Sequence, residues 1–134
     1  MTPMGRSLEL LRKMGYNCWC AEENLRFKRE GEEDVVFKRD LFHFADIVAL
    51  KPKKRLLVQT TSWSNISARI AKIESEPWFE WCRQAEFLIE VHGWNMLPPY
   101  DFKIIDLTAI DHDGRWVYEV SWDSLRSQKS LRLR

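Results

Sequence analysis

The sequence predicts an α/β fold with a mixed central sheet, on three observations. Apolar residues recur at helical spacing at Met4, Leu8, Leu11 and Met14. From Arg39 to Ile73 the chain reads as strand, tight basic turn, strand and helix. Beyond Pro98-Pro99, Phe102 to Ile110 and Trp116 to Trp122 read as an added C-terminal strand pair. The 134 residues suffice for one domain with a real core. Its expected parts are a core over about 4–94, an extension over 95–126 and a basic tail over 127–134.

Thr2-Pro3 is a helix start, since threonine caps and proline suits the first helical position. Gly15 is its expected stop. Tyr16 to Glu22 alternates and is rich in aromatic residues and cysteine, which predicts a strand. Asn24 to Asp34 is highly charged and reads as a hairpin loop or an excursion, with Val35 to Lys38 a short strand or a lead-in. Leu41 to Leu50 is apolar on both faces, as a central covered strand should be. Lys51-Pro52-Lys53-Lys54-Arg55 turns it into Leu56 to Thr61. Ser64 or Asn65 is placed to cap the next helix, whose buried stripe is Ile66, Ile70 and Ile73. Pro77 opens a second short helix. Phe87 to His92 is a further strand, expected to stop at Gly93, and Asp111 to Gly114 is the turn between the last two strands.

Composition narrows the function. Hydrophobic residues make up 45% and charged residues 31%, ordinary for a globular chain. The formal net charge is +1, so nucleic-acid binding would have to come from local patches. No apolar run approaches the roughly 20 residues of a membrane span, and the start has no secretory signal pattern. Cys18, Cys20 and Cys82 form no even disulfide framework and no CxxC spacing. They read as small buried hydrophobes of a reduced, cytoplasmic protein. No phosphate-cradling glycine loop, GxSxG or HExxH motif is present.

Chemistry concentrates at Asp46, a carboxylate inside an otherwise apolar strand. A buried carboxylate needs a partner, because desolvating a charge costs more than one apolar contact returns. Across the hairpin, residues equidistant from the turn lie side by side. Asp46 is therefore expected beside Gln59, Thr60 and Thr61. Oxygen-bearing side chains there suit a hard divalent cation, which activates water and neutralises a phosphodiester transition state.

At these residues the chain resembles the PD-(D/E)XK nuclease superfamily. That family has a restriction-endonuclease-like α-β-β-β-α-β core, with an Asp on the second strand and (Asp/Glu)-x-Lys on the third. The matching residues are Asp46 and then Gln59-Thr60-Thr61, so the variant has Gln59 at the acid and Thr61 at the lysine. RDLFHFADIVAL, LLVQTTS, a helix with Arg69 and Lys72, and IEVHGW resemble small phage and bacterial resolvase-like members, over roughly Leu8 to Trp94. The resemblance implies a magnesium- or manganese-dependent endonuclease or Holliday-junction-resolvase-like phosphodiesterase with one or two ions. It implies DNA, linear or branched, as partner, is compatible with a homodimer, and points to a bacterial or phage-infected cytoplasm. It implies Asp46, Gln59, Thr61 and Glu22 as catalytic residues, with Asp46, Gln59 and Thr60 as metal ligands. Glu23 is the alternative first-region carboxylate, with Glu9 behind it. Arg39, Arg69 and Lys72 are the expected nucleic-acid contacts, the last two also able to replace the missing lysine. The basic tail residues Lys129, Arg132 and Arg134 are further phosphate contacts.

Other features are weaker. Lys51 lies roughly 16 Å along an extended strand from Asp46, so the KPKKR turn reads as a solvated turn or a peripheral phosphate contact. His43 and His92 fall on strands and suit packed, hydrogen-bonded roles more than the cleft. Trp78 and Trp81 have helical spacing and read as core, whereas Trp63 and Trp94, at strand ends, are the better substrate contacts. The alternatives to a nuclease are a catalytically inactive nuclease-fold protein binding nucleic acid or protein, and an unrelated interaction domain.

Overall fold

A computed structural model describes residues 1–27, 35–110 and 116–120. Helix α1 (Pro3–Lys13) starts as its sequence requires, with Thr2 Oγ1 accepting from the Gly5 amide at 3.1 Å. It ends at Gly15, whose φ of +91° is the left-handed turn that glycine adopts without strain. Strand β1 (Asn17–Cys20) follows, then β2 (Glu23–Phe27) and β3 (Val35–Arg39), which pair only with each other. The chain continues through β4 (Ile47–Lys51), β5 (Lys54–Ser62), α2 (Ile66–Glu74), α3 (Pro77–Gln84) and β6 (Leu88–Trp94). Strands β7 (Phe102–Ile110) and β8 (Trp116–Val120) complete the order.

The main sheet has six strands in the order β1-β4-β5-β6-β7-β8. It is mixed, because β5 and β6 run parallel while its other neighbours are antiparallel. A parallel pair needs a long crossover, and α2 with α3 supply it. With β2 and β3 set aside as an insertion, α1, β1, β4, β5, α2 and β6 form the α-β-β-β-α-β core, and β7 and β8 are the added pair.

Alternation along the strands divides the core between two faces. Ile47, Ala49, Leu56 and Val58 pack against Leu11 and Tyr16 on the α1 side. Leu57, Ile89 and Val91 pack against Ile73, Phe79 and Cys82 of the crossover helices. Ile66 and Ile70 join that second cluster as the stripe predicts.

Several expectations are corrected. The run Leu41 to Leu50 is not one strand: β4 begins at Ile47, and Leu41 to Ala45 is a tight reversal. Leu41 and Ala45 exchange backbone hydrogen bonds of 3.0 and 2.8 Å, with Phe42 and His43 at φ of +55° and +68°. Strand β1 covers Asn17–Cys20 rather than all of Tyr16 to Glu22. Gly93 does not stop β6 but lies within it, because a Cβ there would collide with the side chain of Ile66. Asn65 precedes α2 without a side-chain cap, since the 3₁₀ turn Trp63–Asn65 runs directly into the helix. Cys82 is buried and Cys18, half-buried, packs against the α1-side core, but Cys20 is exposed and is not a core residue. The turn Asp111 to Gly114 and the tail with Lys129, Arg132 and Arg134 lie outside the described residues.

Candidate metal centre

The site forms where β4 is shorter than β5. The backbone ladder between them continues to a bond from the Asp46 amide to Val58 O at 2.8 Å. Beyond Val58, β5 runs on to Ser62. The Asp46 side chain takes the place of the absent strand there: its Oδ2 accepts from the Thr60 amide at 2.8 Å, Thr60 Oγ1 at 3.0 Å and Gln59 Nε2 at 2.9 Å. Three donors on one oxygen lock the carboxylate in one orientation.

The reversal at Leu41–Ala45 brings a second carboxylate in. Were residues 40–46 extended, Asp40 and Asp46 would lie about 20 Å apart. The turn folds them together, and the chain after β1 is pinned beside them by a 2.7 Å bond from the Ala21 amide to Asp46 O. Carboxylate oxygens of Glu22, Asp40 and Asp46 consequently all lie within 4.8 Å of one another. Asp46 is only 5% exposed. Burial, partly opposed by the Thr60 amide and reinforced by the neighbouring Asp40 charge, pushes its carboxyl up to about 6.

These residues line a cleft of about 620 Å³. Gln59 and Thr60 lie in its wall beside the acids, the start of α1 closes one side, and Arg69 and Lys72 project from α2. Gln59 is 4% exposed. Its Nε2 donates to Asp46 and to Thr60 O, while its buried Oε1 has no hydrogen-bond partner among the described residues. The three clustered carboxylates of Glu22, Asp40 and Asp46 could coordinate a divalent cation. With oxygen alone on offer, the set suits a hard ion such as Mg²⁺, Mn²⁺ or Ca²⁺ better than a soft one.

The expected site residues divide accordingly. Asp46, Gln59, Thr60, Glu22, Arg69 and Lys72 meet in the one cleft. Thr60 acts there as a double donor to Asp46. Thr61 is buried and is not among the residues lining the cleft. Arg39 is exposed and lines an adjoining pocket with Asp40. Glu9 lies on the surface of α1, paired at 3.5 Å with Lys13, and does not join the acids. Asp40 escaped the sequence reading, because only the left-handed turn after it brings it to Asp46; its signal was a second aspartate six positions upstream in RDLFHFAD.

Trp94, Trp78 and Trp81 reverse their expected roles, while Trp63 is half-buried in the wall of a pocket it shares with Trp94. Trp94 is buried against Phe102, with ring centroids 4.7 Å apart, whereas Trp78 and Trp81 are 38% and 54% exposed. His92 is fully buried, and His43 is exposed, 3.3 Å from Glu76. In the basic turn, Lys51 donates to Met14 O and Arg55 to Ala85 O, so two of its four cations hold the fold together.

No helix among the described residues is long and apolar enough to cross a membrane. The mixed α/β sheet and its acidic cluster are consistent with a nuclease-like superfamily in general. No protein-family model, curated protein or solved structure matches the chain.

Proposed function

We propose that this chain is a metal-dependent phosphodiesterase of the PD-(D/E)XK type that cuts DNA from a variant site. The observation that carries the reading is the convergence of Glu22, Asp40 and Asp46 within 4.8 Å in a cleft that also holds Arg69 and Lys72. Glu22, Asp40, Asp46 and the Oε1 of Gln59 would hold magnesium or manganese, which supplies an activated water and neutralises the phosphodiester. The family's third-strand acid is replaced by Gln59, and Asp40 supplies the charge that Gln59 lacks. Thr60 and the Gln59 amide keep Asp46 in a single orientation. Arg69 presents a planar fork suited to two phosphate oxygens. Lys72, one helical turn further on, takes the part of the lysine absent at Thr61 and orients the attacking water.

The test is cleavage of linear duplex, single-stranded and four-way-junction DNA in magnesium and in manganese, with Asp46→Asn and Asp40→Asn alongside. Cleavage by the wild type that is lost in both variants is expected. Absence of both manganese binding and cleavage in the wild type would sink the proposal. A preference for the four-way junction would mark the resolvase-like subclass, which requires a dimer to cut symmetrically; sedimentation with the junction checks this.

Two observations favour a second reading, a nuclease-fold binding module without catalysis. No lysine stands at Thr61, and the Gln59 amide is engaged with Asp46. On this reading manganese binds and Arg69→Ala weakens DNA binding, but no substrate is cut.

A further inference from the structure

A second pocket of about 310 Å³ adjoins the acidic cleft, and Asp40 stands in the wall of both. Its other walls are Ala21, Arg39, Leu41, Phe42, His43 and Trp78. The two aromatic rings are already in register, with Phe42 and Trp78 centroids 5.1 Å apart and 34° between their planes. Behind them, Trp81 meets Trp78 edge-on at 4.8 Å, which braces the Trp78 ring. The Trp78 indole is 38% exposed and shares the pocket wall with Arg39.

The same reversal builds both sites. Its left-handed residues, Phe42 and His43, send Phe42 into the pocket wall and Phe44 into the core, while bringing Asp40 to Asp46. Non-glycine residues at positive φ cost energy, and here two occur in succession at the junction of the two sites.

We infer that this pocket receives an unpaired nucleobase of the strand whose phosphodiester enters the acidic cleft, stacked on Trp78 and Phe42 with Arg39 on its phosphate. The inference rests on the nuclease-type reading of the cleft and sharpens it, naming as substrate a strand with an unpaired base next to the cut. Three features fit that occupant. Every base has a π-face, so an aromatic wall accepts it without sequence preference. Arg39 supplies positive charge at the rim for a polyanion. The shared wall at Asp40 sets the base beside the reacting phosphate, whereas a fully paired duplex keeps its bases inside the stack.

The experiment uses the full chain with fluorescein-labelled DNA of three kinds: fully paired duplex, duplex with one unpaired base, and single strand. Binding is followed by anisotropy without metal and again with calcium. Stacking on an aromatic ring changes affinity by about 5- to 150-fold, so a preference of about tenfold for unpaired bases is expected. Trp78→Ala should abolish the preference and leave duplex affinity unchanged. Trp78→Phe should keep it. A 2-aminopurine at the unpaired position should be quenched on binding the wild type, a readout that needs no variant.

No preference and no quenching in the wild type would overturn the inference. So would a nucleoside monophosphate that competes as well as the strand, since the pocket would then be a free-nucleotide site. Self-association of the wild type that disappears in Trp78→Ala, without any base preference, would assign the patch to a second copy of the chain. Cleavage assays on the same DNA keep the two readings apart. Cleavage without base preference overturns the pocket and leaves the nuclease reading standing; base preference without cleavage does the reverse.

Discussion

Two polar clusters flank the main sheet, one wholly buried and one opening into a cleft, and they behave in opposite ways. The first joins α1 to β6. The Trp94 indole donates to Ser7 Oγ at 2.8 Å, Ser7 lies 2.9 Å from His92 Nδ1, and His92 Nε2 lies 3.0 Å from Glu90 Oε1. An indole can only donate, so Ser7 accepts from it; with a neutral His92 protonated at Nε2, Ser7 donates on to Nδ1, His92 donates to Glu90, and each donor then has an acceptor. In outline this is a serine–histidine–carboxylate series, but Ser7 and His92 are wholly buried and the serine is already engaged by Trp94. It fastens the helix to the sheet. The second cluster, at Asp46, has three carboxylates, two of them close enough for the Asp40 charge to raise the Asp46 carboxyl, and an amide oxygen with no hydrogen-bond partner among the described residues. A balanced buried network rigidifies; an electron-rich one calls for a cation.

The largest effect expected from breaking this contrast is on metal affinity. Asp46→Asn removes the central charge but keeps an oxygen for the Thr60 and Gln59 donors. Manganese affinity should fall by more than about 100-fold, since outer-shell changes alone reach that range. Calorimetric titration measures it. Ser7→Ala should do the reverse, leaving manganese affinity unchanged. It strands two buried polar groups, so stability should fall by about 2–4 kcal/mol in thermal or urea unfolding. A loss of metal binding in Ser7→Ala would erase the distinction between the clusters.

The pH dependence sharpens it further. The Asp46 carboxyl is held at about 6 against an ordinary 3.8, so the folded chain binds this proton more tightly than the unfolded one. Stability from this group is therefore fully present below about pH 4 and is lost as pH rises through about 6. Without metal, Asp46→Asn should melt higher than wild type above pH 6 and show little advantage at pH 4. Saturating manganese should restore the wild type at neutral pH, and its affinity should weaken about tenfold per pH unit below 6 as the proton competes. A wild-type melting temperature that rises steadily from pH 4 to 7 without metal would contradict the assignment. The smallest effect belongs to Gln59→Glu. It places a fourth carboxylate in the cleft, tightening manganese by about tenfold or less while lowering metal-free stability; paired titration and melting curves would reveal both.

Much of this was legible in the sequence because it depends on local patterning. Periodicity located α1 and α2, Pro77 marked the start of α3, the Lys51–Arg55 turn fixed the β4–β5 register, and that register placed Asp46 beside Gln59 and Thr60. Lone apolar strands with one carboxylate are conspicuous for the same reason: burial makes an unpaired charge costly. What tertiary structure alone decided was which distant groups share that burial. Asp40 joined the site through two left-handed residues in a run whose continuous apolar character reads as a covered strand. Gly93 stayed within β6 because Ile66, 27 positions earlier, occupies the space its side chain would need. Trp78 faced outward and Trp94 inward because the crossover helices cover one face of the sheet with Phe79 and Cys82, while α1 covers the other with Leu10. Spacing along the chain determines which residues share a face; the surface that covers that face comes from elsewhere in the chain, and only the packed fold supplies it.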